Sequence, residues 1–287
     1  GELDGDSRRD HHAAAWQHNV VVETEKIVTN GPGSRARWQS CTRIQLGDIE
    51  CHTEIETRPR FKRNAPYTCM MPKTLLLDVD GVLVRDQALL SHVRHNCERY
   101  VKAKIPECKD PRYVNHLLYK NYGHTARGLS KSFGVDTSDF NKRVYDVPLR
   151  TRLWELLSGT EFQQDAKELC DIMDNGWNVT LFTNAPMEWA GEVAHAIGRN
   201  VQIACPTDDL KNTPLKPEAR AYIKFPGHRK YVFVDDSLKN LRTAAYLPNW
   251  QVVHYDEKKS SGIYPTIGSI WELGLFVRSI DLETANL

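Results

Sequence analysis

From residue 75 onward, short continuous apolar runs alternate with amphipathic stretches. The runs at 75–77, 179–182, 201–204, 231–234 and 251–254 have the length and apolar density of strands buried on both faces. Between them, 162–175, 187–197 and 238–246 space their apolar residues as amphipathic helices do. This alternation predicts a parallel sheet covered by helices on both sides, a doubly wound α/β domain. Residues 88–158, between the first strand and the second, far exceed one crossover helix and are mostly helical in pattern. They predict a small helical cap inserted after the first strand.

The first 69 residues have a different pattern. They are polar and rich in Arg, Asp, Glu, His and Ser, with a breaker run at Asn30, Gly31, Pro32, Gly33 and Ser34. Only Val20 to Val22 and Ile27 with Val28 are strand-like. The expected organisation is therefore a largely unstructured extension at 1–69, a catalytic core at 70–87 and 159–287, and the cap at 88–158.

Composition narrows the partners. A net charge of +1 gives no electrostatic reason to expect nucleic acid. No apolar run reaches the length of a membrane span, and no signal-like stretch follows Gly1. The seven cysteines are scattered, without a C-x-x-C pair, as reduced thiols of a cytoplasmic protein would be.

In open parallel sheets, ligands gather outside the carboxyl ends of the strands. Asp78, Val79, Asp80 and Gly81 follow the first strand, and Thr183 and Asn184 follow the second. Asp235 and Asp236 follow the strand at 231–234. Lys216, before Pro217, precedes a helical stretch at 218–223. Each has an ordinary reading: a turn for Asp80 and Gly81, an N-cap for Thr183, a surface lysine, a cap for the acid pair. Adjacent carboxylates at a buried strand end also suit a divalent cation, and a hydroxyl with backbone N–H groups at a helix start suits a phosphate.

Taken together, Asp78-Val79-Asp80, Thr183, Lys216 and Asp235-Asp236 resemble the four signature motifs of the haloacid dehalogenase (HAD) superfamily. The resemblance covers residues 73 to about 255. Within the cap, Tyr119, Lys120, Asn121, Tyr122, Gly123, His124, Thr125, Ala126, Arg127, Gly128 and Leu129 look like the pyrimidine 5′-nucleotidase branch. Two departures stand out. Gly81-Val82-Leu83 occupy the place of an N-T-L run, and Trp189 and Glu192 stand where that branch usually has a His and an Arg.

The resemblance implies a Rossmann-like core and a magnesium-dependent phosphatase. Asp78 would be the nucleophile, and Asp80 the general acid and base. Thr183, Asn184 and Lys216 would hold the phosphate, while Asp78, Asp80, Asp235 and Asp236 would hold Mg2+. The expected substrate is a small phosphorylated metabolite, a pyrimidine nucleoside 5′-monophosphate above others, with no nucleic-acid or membrane partner and a monomeric or homodimeric state. Tyr119 and Tyr122 would stack on a base or form cap core. Arg127 would contact substrate or form an ion pair. A phosphomutase would share the core motifs, as would a phosphonatase using Lys102, Lys104, Lys120 or Lys131. An inactive binding module would lack at least one motif residue, and none is lacking.

Overall fold

The computed structural model describes residues 21–29, 37–45, 71–204, 206–210, 212–260 and 262–285. The chain divides after Tyr67. In the first part, β1 (Val21–Thr29) and β2 (Arg37–Gln45) pair antiparallel, with Val21 opposite Gln45. The strand-like residues Val21, Val22, Ile27 and Val28 all lie in β1. β2 was not expected: its residues belong to the stretch read as largely unstructured. The expectation for 1–20, 30–36 and 46–69 lies outside the described residues.

The second part holds a six-stranded parallel sheet. Its strands are β3 (Lys73–Leu77), β4 (Trp177–Phe182), β5 (Gln202–Ala204), β6 (Lys230–Asp235), β7 (Trp250–Tyr255) and β8 (Thr266–Ile267), in the order β5-β4-β3-β6-β7-β8. Alternation along β3 shows both faces covered. Leu75 and Leu77 pack into one core with Val179, Leu181, Val232 and Val234. Leu76 packs on the other side with Phe182, Tyr222, Phe233 and Leu241. Strand side chains alternate with a period of two, so one apolar run serves two layers.

The first layer comes from α5 (Val147–Leu157), α6 (Thr160–Asp174), α7 (Met187–Ile197) and α10 (Ile270–Ala285). The second comes from α8 (Ala219–Ile223) and α9 (Leu238–Ala244). β8 and α10 lie within the core expected at 159–287 but were not among the strands and helices expected there. No described helix is long and apolar enough to cross a membrane.

The cap follows β3, as the length of the intervening segment predicts. It contains α1 (Gln87–Lys104), α2 (Pro111–Tyr122), α3 (Thr125–Phe133) and α4 (Thr137–Val144), and leads into α5. Aspartates start most of these helices. Asp86, Asp110, Asp136 and Asp146 each accept a backbone N–H three residues on, from Leu89, Tyr113, Asp139 and Leu149. Each such cap stabilises its helix by about 1 kcal/mol. The cap has its own core of Tyr100, Val101, Leu118, Leu129, Phe140 and Val144, which also takes in Leu210 and Leu215 from the loop after β5. Gly128 allows α3 to approach α2 closely, since a Cβ there would lie 2.7 Å from Leu118 Cδ2.

Candidate active site

β3 lies between β4 and β6, and the register brings their ends together. Leu77 pairs with Leu181 on one side and Val234 on the other. Asp78, Thr183 and Asp235 therefore emerge from three neighbouring strands. All but Asp235 of these, with Asp80, Lys216 and Asp236, line a cavity of about 600 Å³ between sheet and cap.

Lys216 is the electrostatic centre. It is only 2% exposed. Its Nζ lies 2.9 Å from Asp78 Oδ1 and 2.7 Å from Asp235 Oδ2. The rings of Phe182 and Phe233 lie 5.3 and 5.5 Å from the ammonium and add cation–π attraction. Burial alone would lower this ammonium's pKa, but Asp235 and Asp78 hold it above the ordinary lysine value. Lys216 therefore stays charged.

The carboxylates have different partners. Asp78 Oδ1 accepts from Val79 N at 2.7 Å as well as meeting Lys216, and among the described residues Oδ2 has no hydrogen-bond partner. Asp235 is fully engaged: Oδ1 accepts from Ser237 N and Asn240 Nδ2, and Oδ2 from Lys216 and the same amide. Asp236 is open to the cavity, and its main-chain carbonyl meets His254 Nε2 at 3.1 Å. Asp80 accepts from the indole of Trp189. Burial pushes Asp80 up to about 6, against the opposing pull of Trp189 and Lys216. Burial and then Asp235 push Asp236 up to about 6 as well. Asp78 is raised by burial first; Lys216 opposes this, and Asp235 and Asp236 add to it.

The site fits a divalent cation. Asp78, Asp235 and Asp236 offer oxygens within 4.8 Å of one another. Desolvated like charges this close are relieved by a cation, and an all-oxygen donor set suits magnesium. Asp235 also accepts from Lys216, Asn240 and Ser237, so Asp78 and Asp236 are the carboxylates with fewer competing donors. Gly81 keeps that space open. It has φ +89°, and a Cβ there would lie 2.3 Å from Asp236 Oδ2.

Several expected ligands take other partners. Asn184, expected on the phosphate, uses its side chain to clamp the Lys216 main chain, donating to its carbonyl at 2.9 Å and accepting from its N–H at 3.0 Å. It sets the position of Lys216. Thr183 is buried and accepts from Ala185 N at 3.0 Å, which leaves its hydroxyl proton for a ligand. Of the two roles expected for Arg127, substrate contact or an ion pair, the structure shows the ion pair, and Arg127 is not among the residues lining the cavity. Its guanidinium pairs with Glu218 and donates to the Thr213 carbonyl, tying α3 to the segment that carries Lys216. Tyr122 packs on the cap core, while Tyr119 lines the cavity. Lys102, Lys104, Lys120 and Lys131 are all absent from the cavity lining. Asn240, His254 and Trp189 are contributors that the motifs did not single out for these roles.

His124 also lines the cavity and begins α3, accepting from Ala126 N through Nδ1 at 3.2 Å. Burial, and then Arg127, push its pKa down from 6.5 to about 4. Between those values the unfolded chain binds a proton that the folded protein does not. Stability therefore falls as pH is lowered through that window, by about 3 kcal/mol in full. His124→Asn keeps an acceptor at the N-cap and removes the imidazole. Urea unfolding from about pH 7 to about pH 4 should cost the wild type about 3 kcal/mol more than the variant. Parallel losses would show that His124 is not the titrating group.

No family model matches the chain. Solved structures with a similar fold include L-2-haloacid dehalogenase from Xanthobacter autotrophicus, at 12% identity and TM-score 0.41, covering 73% of this chain and 99% of that one. A phosphoserine phosphohydrolase-like protein from Francisella tularensis matches at 13% identity and TM-score 0.42, covering 71% and 99%. At these identities and scores, neither bears on activity or substrate.

Proposed function

We propose that the protein is a HAD-type phosphatase that hydrolyses a small phosphate monoester through an aspartyl-phosphate on Asp78. The observation that carries this reading is the Asp78 carboxylate. One of its oxygens is fixed by Val79 N–H and Lys216, the other has no hydrogen-bond partner among the described residues, and the residue lines the cavity. Dehalogenation needs no acid for a leaving alkoxide, and Asp80 supplies one.

Each residue then has a defined task. The Thr183 hydroxyl and the Lys216 ammonium bind the phosphoryl oxygens. Asp78 Oδ2 attacks phosphorus as the bond to the ester oxygen breaks, and Asp80 gives its proton to the departing oxygen. Water then attacks the phosphoryl group and passes a proton to Asp80. The bond to Asp78 breaks, phosphate leaves, and both carboxyl groups return to their starting states. Magnesium, held by Asp78, Asp236 and the Asp80 carbonyl, would offset the repulsion between the attacking carboxylate and the phosphate.

The finer reading is a nucleoside 5′-monophosphate, pyrimidine above purine. It is supported by the Tyr119 ring, which lines the cavity from α2, and by a volume in the range of small-ligand sites. Phosphate release from a panel of nucleotides, sugar phosphates and p-nitrophenyl phosphate tests both levels. Turnover should vanish in EDTA, return with magnesium and be inhibited by calcium. Full activity in chelator would sink the metal assignment. Activity on sugar phosphates alone would remove the nucleotide reading.

A further inference from the structure

Trp189 lies on α7, 1% exposed, with its ring edge-on to Tyr145 at 5.2 Å. Its Nε1 is 2.9 Å from Asp80 Oδ1. An indole N–H can only donate, so Oδ1 must act as acceptor. Asp80 Oδ2 has no hydrogen-bond partner among the described residues. The contact thus distinguishes two otherwise equivalent oxygens and restricts rotation of the carboxyl group.

We propose that Trp189 is a positioning residue for Asp80: it reserves Oδ1, so that the proton given to the leaving oxygen is carried on Oδ2. This inference rests on the phosphatase reading. Packing explains part of the burial of Trp189, since it also belongs to the core beneath the sheet. Packing does not explain why its one polar atom ends on a carboxylate of the candidate site, 109 positions away in the chain.

The proposal predicts a loss that depends on the leaving group. A simple alkyl phosphate needs a proton to expel its alkoxide, whereas 2,4-dinitrophenyl phosphate expels a stable phenolate without one. The quantity to read is kcat/KM, which ends at departure of the leaving group. Trp189→Phe keeps an aromatic ring beside Tyr145 and removes the donor. It should lower kcat/KM about 10- to 100-fold on the alkyl ester and less than about 3-fold on the dinitrophenyl ester. Trp189→His, which keeps a ring N–H, should fall between wild type and Trp189→Phe on the alkyl ester. In an Asp80→Asn background, Trp189→Phe should cost less than about 2-fold more, because the group it positions is already gone.

Thermal unfolding of each variant separates folding from positioning. Equal losses on the two esters overturn the proposal, as does a full additional loss in the Asp80→Asn background. A wild-type protein that turns over neither ester overturns the phosphatase reading, and this proposal with it.

Discussion

Asp78→Asn should reduce phosphate-ester turnover at least about 1,000-fold while leaving the protein folded. An amide oxygen is a far weaker nucleophile than a carboxylate and cannot form the same acyl phosphate. The fold should tolerate the change for two reasons. The amide oxygen can still accept from Val79 N, replacing the bond that Oδ1 makes. The substitution also removes a buried charge whose ionisation burial, Asp235 and Asp236 oppose more than Lys216 favours it. Thermal unfolding should show a midpoint equal to or above wild type, alongside the loss of phosphate release. A folded variant with near-wild-type turnover would mean that some other group attacks phosphorus.

Lys216→Met should remove both activity and stability. The ammonium lies between Asp78 and Asp235, and Asp235 is fully buried. Removing one member of a buried ion pair leaves its partner uncompensated, at a cost of about 3–5 kcal/mol. Asn240 and Ser237 N–H still solvate Asp235 but bring no full charge. Adding Asp235→Asn to Lys216→Met should return much of the stability and none of the turnover. Urea unfolding in chelator, set beside turnover in magnesium, reads the two effects separately. If the double variant stays as unstable as the single one, the loss comes from packing around Phe182 and Phe233. If Lys216→Met keeps its turnover, Lys216 does not bind the phosphoryl group.

The sheet was readable because its signal is local. A continuous apolar run followed by an acid or a hydroxyl marks both a buried strand and its carboxyl end, so β3, β4 and β6 declared themselves along with Asp78, Thr183 and Asp235. α7 was also legible, and its observed bounds, Met187–Ile197, match the amphipathic stretch. α10 was not. Its buried residues Ile270, Leu273, Val277 and Ile280 share the helix with exposed Trp271, Leu275 and Leu282, so apolar residues run around it and leave no clear stripe. β8 has only two residues, too short to show a period.

The role of Asn184 and the partner of Arg127 were hidden for another reason. Their partners are distant in sequence: Lys216 is 32 positions from Asn184, and Glu218 is 91 from Arg127. A motif identifies which side chains can bind an anion. It does not reveal that an amide is taken up by a main chain, or a guanidinium by a glutamate, before any ligand arrives. Trp189 was not legible as a partner of Asp80, because the contact joins residues 109 positions apart and exists only once the chain has folded.

The shared register of β4, β3 and β6 acts as a ruler. The depths of Asp78, Thr183 and Asp235 are set by ladder pairs such as Leu77 with Leu181 and Leu77 with Val234. A single insertion within any of these strands would move one chemical group relative to the other two and turn its neighbours inside out. The cap helices α1 to α4 leave after β3 and lead into α5 without entering the ladder, so their length does not alter the strand register. Insertions between α1 and α4 would therefore leave the relative depths of Asp78, Thr183 and Asp235 unchanged, whereas α5 is bound to the sheet through Leu149, Leu153 and Leu157.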